Sequence, residues 1–288
     1  MHDHGLDKTG LLVLVITYAN LEDTRNTLRQ LEALVEGRTR ETLESTKIVV
    51  WDNSSLNLDY TGGVTYHSSP QGNIGFGAAV NAVCSRYDFN RILLINPDVD
   101  LDELLFETII SRNKKLTREI IWAPMLVNLD GSEQTRSDSL YMRTVTQEVF
   151  DMFGFPARRQ KRKIALYYLR GAVFSISSEL LDAVDGFDEE FFLYGEEADL
   201  CFRLQDSAKL FFDSQVKVVH HGSQGHRGKS PKALDYSLDA RVRLHRKYNG
   251  HIAGFTVAFA VRLLKVALGL KRTLSAGRRA AASLAGGK

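Results

Sequence analysis

The sequence predicts an α/β protein with a doubly wound, mostly parallel sheet. Apolar runs of strand length alternate with segments of helical periodicity in its N-terminal part. Residues 11–16 (LLVLVI) are apolar throughout, which is typical of a strand buried on both faces of a parallel sheet. Acidic side chains directly follow several such runs, and ligands bind beyond the carboxyl ends of strands in open α/β sheets. The sequence therefore predicts a ligand site rich in carboxylates along one edge of the sheet.

Each element is predicted from its own pattern. We expect strands at residues 11–16, 47–51, 64–67, 91–95, 120–123 and 167–177. We expect helices where leucines recur between Leu21 and Leu34, in the second part of residues 73–86, at 101–110, and after Ser178, which can cap a short helix ending near Gly186. Residues 128–131 are typical of a hairpin turn, and residues 141–163 are expected to form a flap or loop.

Charge is distributed unevenly along the 288 residues, although the net charge is only +2. Residues 226–288 contain fourteen Lys or Arg and two acids, a net of +12, which leaves a net of −10 for residues 1–225. A basic end on an acidic body predicts an anionic partner separate from the carboxylate site. A membrane surface fits better than nucleic acid, and no nucleic-acid partner is expected.

The cysteine content and the N-terminus favour the cytoplasm. Cys84 and Cys201 form neither a disulfide framework nor a CxxC pair, so we expect reduced thiols. The first residues, MHDHGLDKTG, are polar and do not resemble a cleaved secretion signal.

The first candidate ligand residues follow two strands in the N-terminal half. Asp52 ends a strand, where it is expected either to form an Asx turn or to accept a hydrogen bond from the base or ribose of a nucleotide. Asn73, Gly75, Gly77 and Asn81 form N-x-G-x-G-x-x-x-N at the start of a helix. Glycines there allow close approach to a ligand, and a helix N-terminus favours anions, although such loops are common.

Asn96-Pro97-Asp98-Val99-Asp100 follows an apolar strand and is more specific. Proline stops the strand ladder, and Asp98 is then placed to bind a divalent cation that bridges a diphosphate. Asp100 or Asp102 is expected to cap the next helix instead.

The later candidates are carboxylates and a histidine. Glu196, Glu197 and Asp199 lie in the first turn of a helix, a common solvated pattern, but the aromatic residues before them would partly desolvate a carboxylate and raise its basicity. Asp199 and Arg203 are expected to pair. His220 ends a valine-rich strand and is a candidate metal or phosphate ligand. A later arginine, Arg241, is expected either to reach a diphosphate or to lie on a solvated face.

Taken in order, these sites resemble an inverting sugar-nucleotide glycosyltransferase of family 2 with a GT-A fold, and within it the bacterial rhamnosyltransferase-like group. The resemblance covers residues 11–250. It rests on the order and spacing of Thr17-Tyr18, Asp52-Asn53-Ser54, Asn73-x-Gly75-Phe76-Gly77-x-x-x-Asn81, Asn96-Pro97-Asp98, Arg170-Gly171-Ala172, Gly186-Phe187-Asp188, Glu196-Glu197-Ala198-Asp199, His220-His221-Gly222 and Arg246-Lys247-Tyr248-Asn249-Gly250.

The resemblance implies a role for each matching position. Donor binding falls to Thr17, Tyr18, Asp52, Asn73, Gly75, Asn81, Asn96, Gly171 and Arg241, and binding of Mg²⁺ or Mn²⁺ to Asp98 and His220. The general base of the family is an aspartate, whose place is held here by Glu197, with Asp199 as the reserve candidate. The base takes the proton of the acceptor hydroxyl while the metal stabilises the departing nucleoside diphosphate.

The resemblance also implies a domain organisation and partners. Residues 9–250 are expected to form the glycosyltransferase domain, with a nucleotide-sugar half (9–100) and an acceptor and catalytic half (101–250). Residues 251–288 are expected to form a basic amphipathic tail that lies on the inner face of the membrane rather than crossing it, since Arg262 and Lys265 interrupt its apolar stretch. Packing of the tail on the body, or a homodimer, is the alternative.

We expect transfer of rhamnose from dTDP-rhamnose to a glycan or polyprenyl-diphosphate-linked acceptor in cell-surface polysaccharide synthesis. Two other hypotheses stay open. A nucleotidyltransferase would use a similar sheet, but the loop after the first strand, Thr17-Tyr18-Ala19-Asn20, lacks the glycines and basic residue such enzymes need. A catalytically silent sugar-nucleotide-binding scaffold would explain Glu197 in the place of aspartate.

Overall fold

The computed structural model describes residues 9–18, 21–36, 45–54, 58–134, 142–155, 167–222 and 231–285. The chain divides into two compact units. The first comprises Met1–Met142 and Ala165–Tyr236, and the second comprises Arg143–Ile164 and Ser237–Lys288.

A seven-stranded sheet forms the centre of the first unit. Its strands are β1 (Thr9–Thr17), β2 (Thr46–Asp52), β3 (Thr65–Ser68), β4 (Phe89–Ile95), β5 (Ile120–Val127), β6 (Val173–Ser177) and β7 (Lys209–Val219). They lie in the order β3-β2-β1-β4-β6-β5-β7. Only β6 runs against its neighbours β4 and β5, so the prediction of a mostly parallel sheet is confirmed.

Helices cover both faces of this sheet. They are α1 (Leu21–Val35), α2 (Phe76–Cys84), α3 (Glu103–Lys114), α5 (Ser178–Asp182) and α6 (Glu196–Arg203), while α4 (Val145–Met152) belongs to the second unit. Alternate side chains of β1 enter opposite cores because successive strand residues point to opposite faces. Leu11 and Val13 pack with α1 and α3, whereas Leu12 and Leu14 pack with α2, α5 and α6.

The strand directions bring several chain segments to one edge of the sheet. In β1, β2 and β3, Thr17 is opposite Asp52 and Asp52 is opposite Ser68, so these carboxyl ends are level. Because β6 is antiparallel, its first residue, Val173, lies beside the last residue of β4, Ile95. This carboxyl edge is where the predicted site residues of the first unit converge.

Three local predictions are refined by the structure. Asp102, rather than Asp100, caps α3, since its carboxylate accepts the Leu105 N–H at 2.8 Å. The cap of α5 is Ser177 and not Ser178, because the Ser177 hydroxyl is the one that accepts the Leu180 N–H. The expected flap at residues 141–163 contains α4, which begins with a capping box of Thr144 and Gln147. Residues 141 and 156–163 of that flap lie outside the described part.

Helices form the second unit. Beside α4 it contains most of α7 (Pro231–Asn249) and all of α8 (His251–Ala285), with Gly250 between them at φ 88°. A cluster around Leu238, Val257 and Val261 forms its core. The C-terminal helices expected from the sequence are thus present.

Candidate functional site

The segment after β4 is fixed against the end of β7 by backbone hydrogen bonds. The Asp100 N–H donates to the Val219 carbonyl at 2.9 Å, and the His221 N–H donates to the Asp98 carbonyl at 2.9 Å. Val99 and His220 form an antiparallel bridge between the same segments. Two stretches more than a hundred residues apart in sequence are therefore held side by side.

These backbone contacts place the side chains of Asp98 and His220 together. His220 Nε2 lies 3.4 Å from Asp98 Oδ1, and the Asp98 side chain remains 45% exposed. Burial alone would raise the pKa of Asp98, but the hydrogen bond and charge of His220, together with the backbone N–H groups of Asp98 and Gly222, outweigh it and lower that pKa. Asp98 is therefore an ionised and accessible carboxylate.

Gln134 orients His220 from the other side. Its Oε1 lies 2.8 Å from His220 Nδ1, and its Nε2 donates to the His220 carbonyl. Gln134 reaches this position by the predicted hairpin, in which the Asn128 N–H donates to the Ser132 carbonyl and the Gln134 N–H to the Leu126 carbonyl. A second histidine, His221, pairs separately with Asp100 at 2.7 Å.

The donor set around Asp98 and His220 fits a divalent cation. The carboxylate oxygen suits Mg²⁺ or Mn²⁺, and Mg²⁺ commonly takes only one or two protein carboxylates and completes its coordination with water and substrate phosphates; the imidazole is the less typical ligand of the two. Within the described ranges no group of three or more His, Cys, Asp or Glu side chains could hold a metal ion. The pair therefore suits a cation that binds together with a phosphate-bearing ligand.

Two neighbouring carboxylates open α6. Burial raises the pKa of Glu197, and the charge of Arg170 and the N–H groups of Gly171 and Gly195 oppose this only in part. Burial and the charge of Glu197 together raise the pKa of Glu196 well above its ordinary value. In each residue the Oε2 atom is buried and has no hydrogen-bond partner among the residues that the structure describes. These carboxyls hold protons more tightly than a solvated glutamate.

Tyr194 lies close enough to both Asp98 and the two glutamates for their charges to affect its pKa. Burial raises the pKa of Tyr194, and the nearby charges of Glu196, Asp98 and Glu197 raise it further. Its backbone has φ 70°, which is unusual for a bulky residue and clusters at functional sites. The phenol thus lies within electrostatic reach of both the predicted metal ligand and the predicted base.

Asp199, the reserve candidate for the base, has a different environment. It is fully buried, and its Oδ2 accepts from Arg203 Nε at 2.8 Å, as expected from their spacing. Arg203 also donates to the carbonyls of Val184 and Gly186, at 2.6 and 2.8 Å. This ion pair holds α6 to the preceding turn.

The predicted nucleoside residues lie at the ends of β1 and β2. Thr17 is buried, Tyr18 is exposed, and the Asn53 N–H donates to the Thr17 carbonyl at 2.7 Å. Buried Asp52 accepts the Ser54 N–H at 2.8 Å, which is the expected Asx turn, and the Tyr66 hydroxyl at 3.0 Å. Asp52 is therefore fixed in orientation.

Asn53 stabilises the glycine-rich loop at the start of α2 by hydrogen bonds. Its Nδ2 donates to Asn73 Oδ1 and to the Gly75 carbonyl, at 3.0 and 3.1 Å. Gly75 has φ 93°, and a Cβ there would lie 2.7 Å from the Phe192 carbonyl oxygen. The same carbonyl accepts the Phe76 N–H at 3.0 Å, so the loop packs directly against the chain that leads to α6.

Three further predicted donor residues make structural contacts. The Asn81 amide pairs with the backbone N–H and carbonyl of Phe187, both at 2.9 Å. The Asn96 N–H donates to the Ala172 carbonyl at 2.8 Å. A Cβ on Gly171 would lie 3.7 Å from the Glu197 side chain, so Gly171 borders that carboxylate. The end of β4 and the base candidate are thus linked through residues 171–172.

Arg241 belongs to the second unit. Its guanidinium pairs there with the carboxylate of Glu148 at 2.8 Å. That contact gives the half-buried arginine a structural partner.

Sequence reasoning missed Gln134 and the position of Tyr194. Gln134 follows a recognisable hairpin turn, but its partner is 86 residues away, so no local pattern identifies it. Tyr194 precedes Gly195 at the start of α6, and a tyrosine-glycine pair before a run of acids was the available signal.

Comparison with known proteins supports the predicted fold and enzyme class. No family model matches the chain. The low-salt glycan biosynthesis hexosyltransferase Agl10 of Haloferax volcanii is 22% identical over 241 residues, which cover 81% of this chain and 74% of the relative. This relative supports the prediction of a glycosyltransferase.

Three solved structures share the fold at low sequence identity. GalNAc-T7 with UDP, GalNAc and Mn²⁺ has a TM-score of 0.53 at 14% identity, over 85% of this chain and 48% of that one. A mycobacterial protein has a TM-score of 0.54 at 16% identity, over 84% and 76%. Staphylococcus aureus TarS 1–349 with UDP-GlcNAc has 0.50 at 10% identity, over 83% and 67%. The chain thus has a GT-A type fold, and it spans about half the length of the GalNAc-T7 chain.

Proposed function

We propose that this chain is an inverting glycosyltransferase of family 2 that transfers a hexosyl group from a nucleoside-diphosphate sugar to a glycan or polyprenyl-diphosphate-linked acceptor. Rhamnose from dTDP-rhamnose is the first donor to test, given the resemblance of the motifs to the rhamnosyltransferase-like group. The observation that carries the proposal is the Asp98–His220 pair, 3.4 Å apart at the carboxyl edge of a GT-A sheet, with the half-buried Glu197 in electrostatic reach of the same Tyr194 as Asp98.

Asp98 and His220 would hold the divalent cation. When bound, Mg²⁺ or Mn²⁺ would neutralise charge on the donor diphosphate. The binding of UDP and Mn²⁺ by GalNAc-T7, which shares this fold, supports a cation in this class of site. Gln134 fixes the ring of His220, so the nitrogen that faces Asp98 keeps its direction.

Glu197 is the base of the proposed reaction. The acceptor hydroxyl oxygen forms a bond to the anomeric carbon as the bond from that carbon to the diphosphate oxygen breaks, and Glu197 receives the hydroxyl proton. One displacement of this kind inverts the anomeric centre. A raised pKa suits the role, since a general base acts best when its pKa approaches the working pH.

The donor is proposed to lie along the edge from β1 to α2. Asp52 is buried and fixed by Ser54 and Tyr66, so the nucleobase or ribose would bind beside the exposed Tyr18, on the turn that Asp52 shapes. A Cβ on Gly75 would meet Phe192, so that packing requires the glycine, and a sugar or phosphate would lie at the start of α2, where a helix N-terminus favours anions. UDP-GlcNAc binding by TarS, a protein of the same fold, supports a sugar nucleotide here.

The test is release of nucleoside diphosphate by the purified protein from dTDP-rhamnose and from a panel of UDP- and GDP-sugars. Each donor is assayed with Mg²⁺, with Mn²⁺ and with EDTA, and with a lipid-linked glycan acceptor. We expect metal-dependent turnover of one donor that is lost in Asp98→Ala and in Glu197→Gln. The anomeric configuration of the product, read by NMR, tests the inverting mechanism.

Other outcomes identify the alternatives. Binding of a sugar nucleotide without turnover, with acceptor present, would assign a silent scaffold. Formation of a sugar nucleotide from a nucleoside triphosphate and a sugar phosphate would assign a nucleotidyltransferase. Absence of binding to any sugar nucleotide would refute the proposal.

A further inference from the structure

The C-terminal helix α8 exposes a continuous apolar face. Ile252, Phe255, Phe259, Leu263 and Val266 form this face, which we call the outer stripe, and their exposure ranges from 48% to 85%. Their spacing of three or four residues places them on one side of an α-helix. Soluble proteins seldom expose a continuous row of large apolar side chains to water. An exposed apolar patch of this kind therefore marks an interaction site.

The inner face of the same helix is packed within the second unit. Val257 and Val261 are buried beside Leu238 of α7. Gly254 permits close contact between the helices, because a Cβ there would lie 2.6 Å from Arg246 Cβ. The segment His251–Leu268 has a mean hydropathy of 1.6 and is long enough to cross a membrane, but its inner face already has a protein partner. This packing favours a helix that lies along a surface over one that spans.

The charge of α8 identifies the kind of surface. Its sequence contains six Lys or Arg and not one Asp or Glu. Arg262 is exposed next to the outer stripe, and Lys265 lies 3.8 Å from Asp239. An apolar stripe flanked by cations matches an anionic lipid surface, in which acyl chains accept the stripe and headgroups accept the cations. A second copy of the chain would bring the same positive charge to the interface, so the two helices would repel each other.

We propose that the outer stripe docks the protein on an anionic lipid bilayer, with α8 in the plane of the interface. The site of action is then the inner face of the membrane, where the anionic leaflet lies. This proposal rests on α8 alone and does not depend on the proposed transferase reaction. Binding to an anionic bilayer would explain the net charge of +12 over residues 226–288.

Co-sedimentation with vesicles tests this surface. The full chain is mixed with vesicles of phosphatidylcholine alone and of equal parts phosphatidylcholine and phosphatidylglycerol. We expect binding to the anionic vesicles that weakens with salt, and weak binding to phosphatidylcholine. The double variant Phe255→Ser, Phe259→Ser should bind on the order of a hundredfold more weakly, because each buried phenylalanine contributes about a factor of ten.

A matched control is available in the first unit. Leu104 is 74% exposed on α3, and Leu104→Ser should leave vesicle binding unchanged. Circular dichroism and thermal unfolding confirm that each variant is folded. The proposal is overturned if the wild-type protein does not bind anionic vesicles. It is also overturned if the double variant binds them as well as the wild type does. A dimer in solution that the double variant abolishes, without vesicle binding by the wild type, would assign the outer stripe to a second copy instead.

Discussion

Gln134 holds both the ring and the backbone of His220. Its amide oxygen lies 2.8 Å from His220 Nδ1, and its amide nitrogen donates to the His220 carbonyl. An amide oxygen only accepts, so Nδ1 carries a hydrogen; Nε2–H can then donate to Asp98, and Nε2 offers a lone pair to a cation once that hydrogen leaves. That nitrogen is the one that faces Asp98 at 3.4 Å. Gln134 is therefore a positioning residue for the predicted cation site.

The first prediction concerns this contact. Gln134→Leu removes the acceptor for Nδ1, so the ring is free to rotate or to change tautomer. Loss of such an outer partner typically costs about 10–100-fold in metal affinity. Mn²⁺ binding in the presence of UDP, followed by electron paramagnetic resonance, measures the effect. Gln134→Glu keeps an acceptor and should retain more affinity than Gln134→Leu; equal affinities in both variants and the wild type would contradict the role.

The second prediction concerns the pH dependence of turnover. Burial raises the pKa of Glu197 above its ordinary value of 4.5, and a base must be unprotonated to act. Activity should therefore rise with pH through a value above that of a solvated glutamate. The pH profile of kcat/KM measures this limb. Glu197→Asp should keep part of the activity, and Glu197→Gln should lose it while staying at least as stable as the wild type.

The sequence predicted those parts of the site that local pattern determines. Asp98 follows an apolar strand and His220 ends another, so the sequence alone predicts both at a carboxyl edge. Asp199 and Arg203 are one helical turn apart, and their ion pair is present. Such residues carry their signal within a few positions of themselves.

The remaining features depend on contacts distant in sequence. Gln134 meets His220 across 86 residues, and Asn81 meets Phe187 across 106. The antiparallel direction of β6 follows from how the chain crosses the sheet, which strand periodicity does not encode. Helix α4 lay in a stretch expected to be a loop, although Thr144 and Gln147 have the capping-box spacing.

A third prediction concerns stability and Glu196. Burial raises its pKa well above the ordinary value, so between the unfolded and folded values the folded state holds the extra proton. Stability from this group is complete below the unfolded pKa and is lost as pH rises through the folded pKa. Glu196→Gln keeps a neutral side chain at every pH. The variant should be more stable than the wild type at alkaline pH, and the difference should shrink near pH 4.

Thermal unfolding of both proteins across this pH range measures the difference. Glu190→Gln, a change at an exposed acid of the same region, should follow the wild type at every pH. A stability difference for Glu196→Gln that stays constant with pH would contradict a raised pKa.

A fourth prediction concerns the glycine-rich loop. Gly75→Ala would place a Cβ 2.7 Å from the Phe192 carbonyl oxygen at a residue with φ 93°. Backbone strain of this kind costs about 1–3 kcal/mol, and relief would displace the loop from its position beside Phe192. We expect a lower melting temperature and a higher KM for the donor. Gly63→Ala is the matched control, since a Cβ there meets nothing within 4 Å, and it should change neither quantity.

The last prediction separates the two candidates for the base. Asp199 is fully buried against Arg203, which in turn donates to the carbonyls of Val184 and Gly186. Removal of one partner from a buried ion pair costs about 3–5 kcal/mol, because the other charge is left without compensation. Asp199→Ala should therefore unfold at a much lower temperature, while the molecules that remain folded keep turnover as long as Glu197 is present. Glu197→Gln should do the reverse and abolish turnover without lowering the melting temperature. Both quantities are measured on the same preparations, with turnover assayed well below the lower melting point. Loss of turnover in Asp199→Ala at wild-type stability would make Asp199 the base and Glu197 its neighbour.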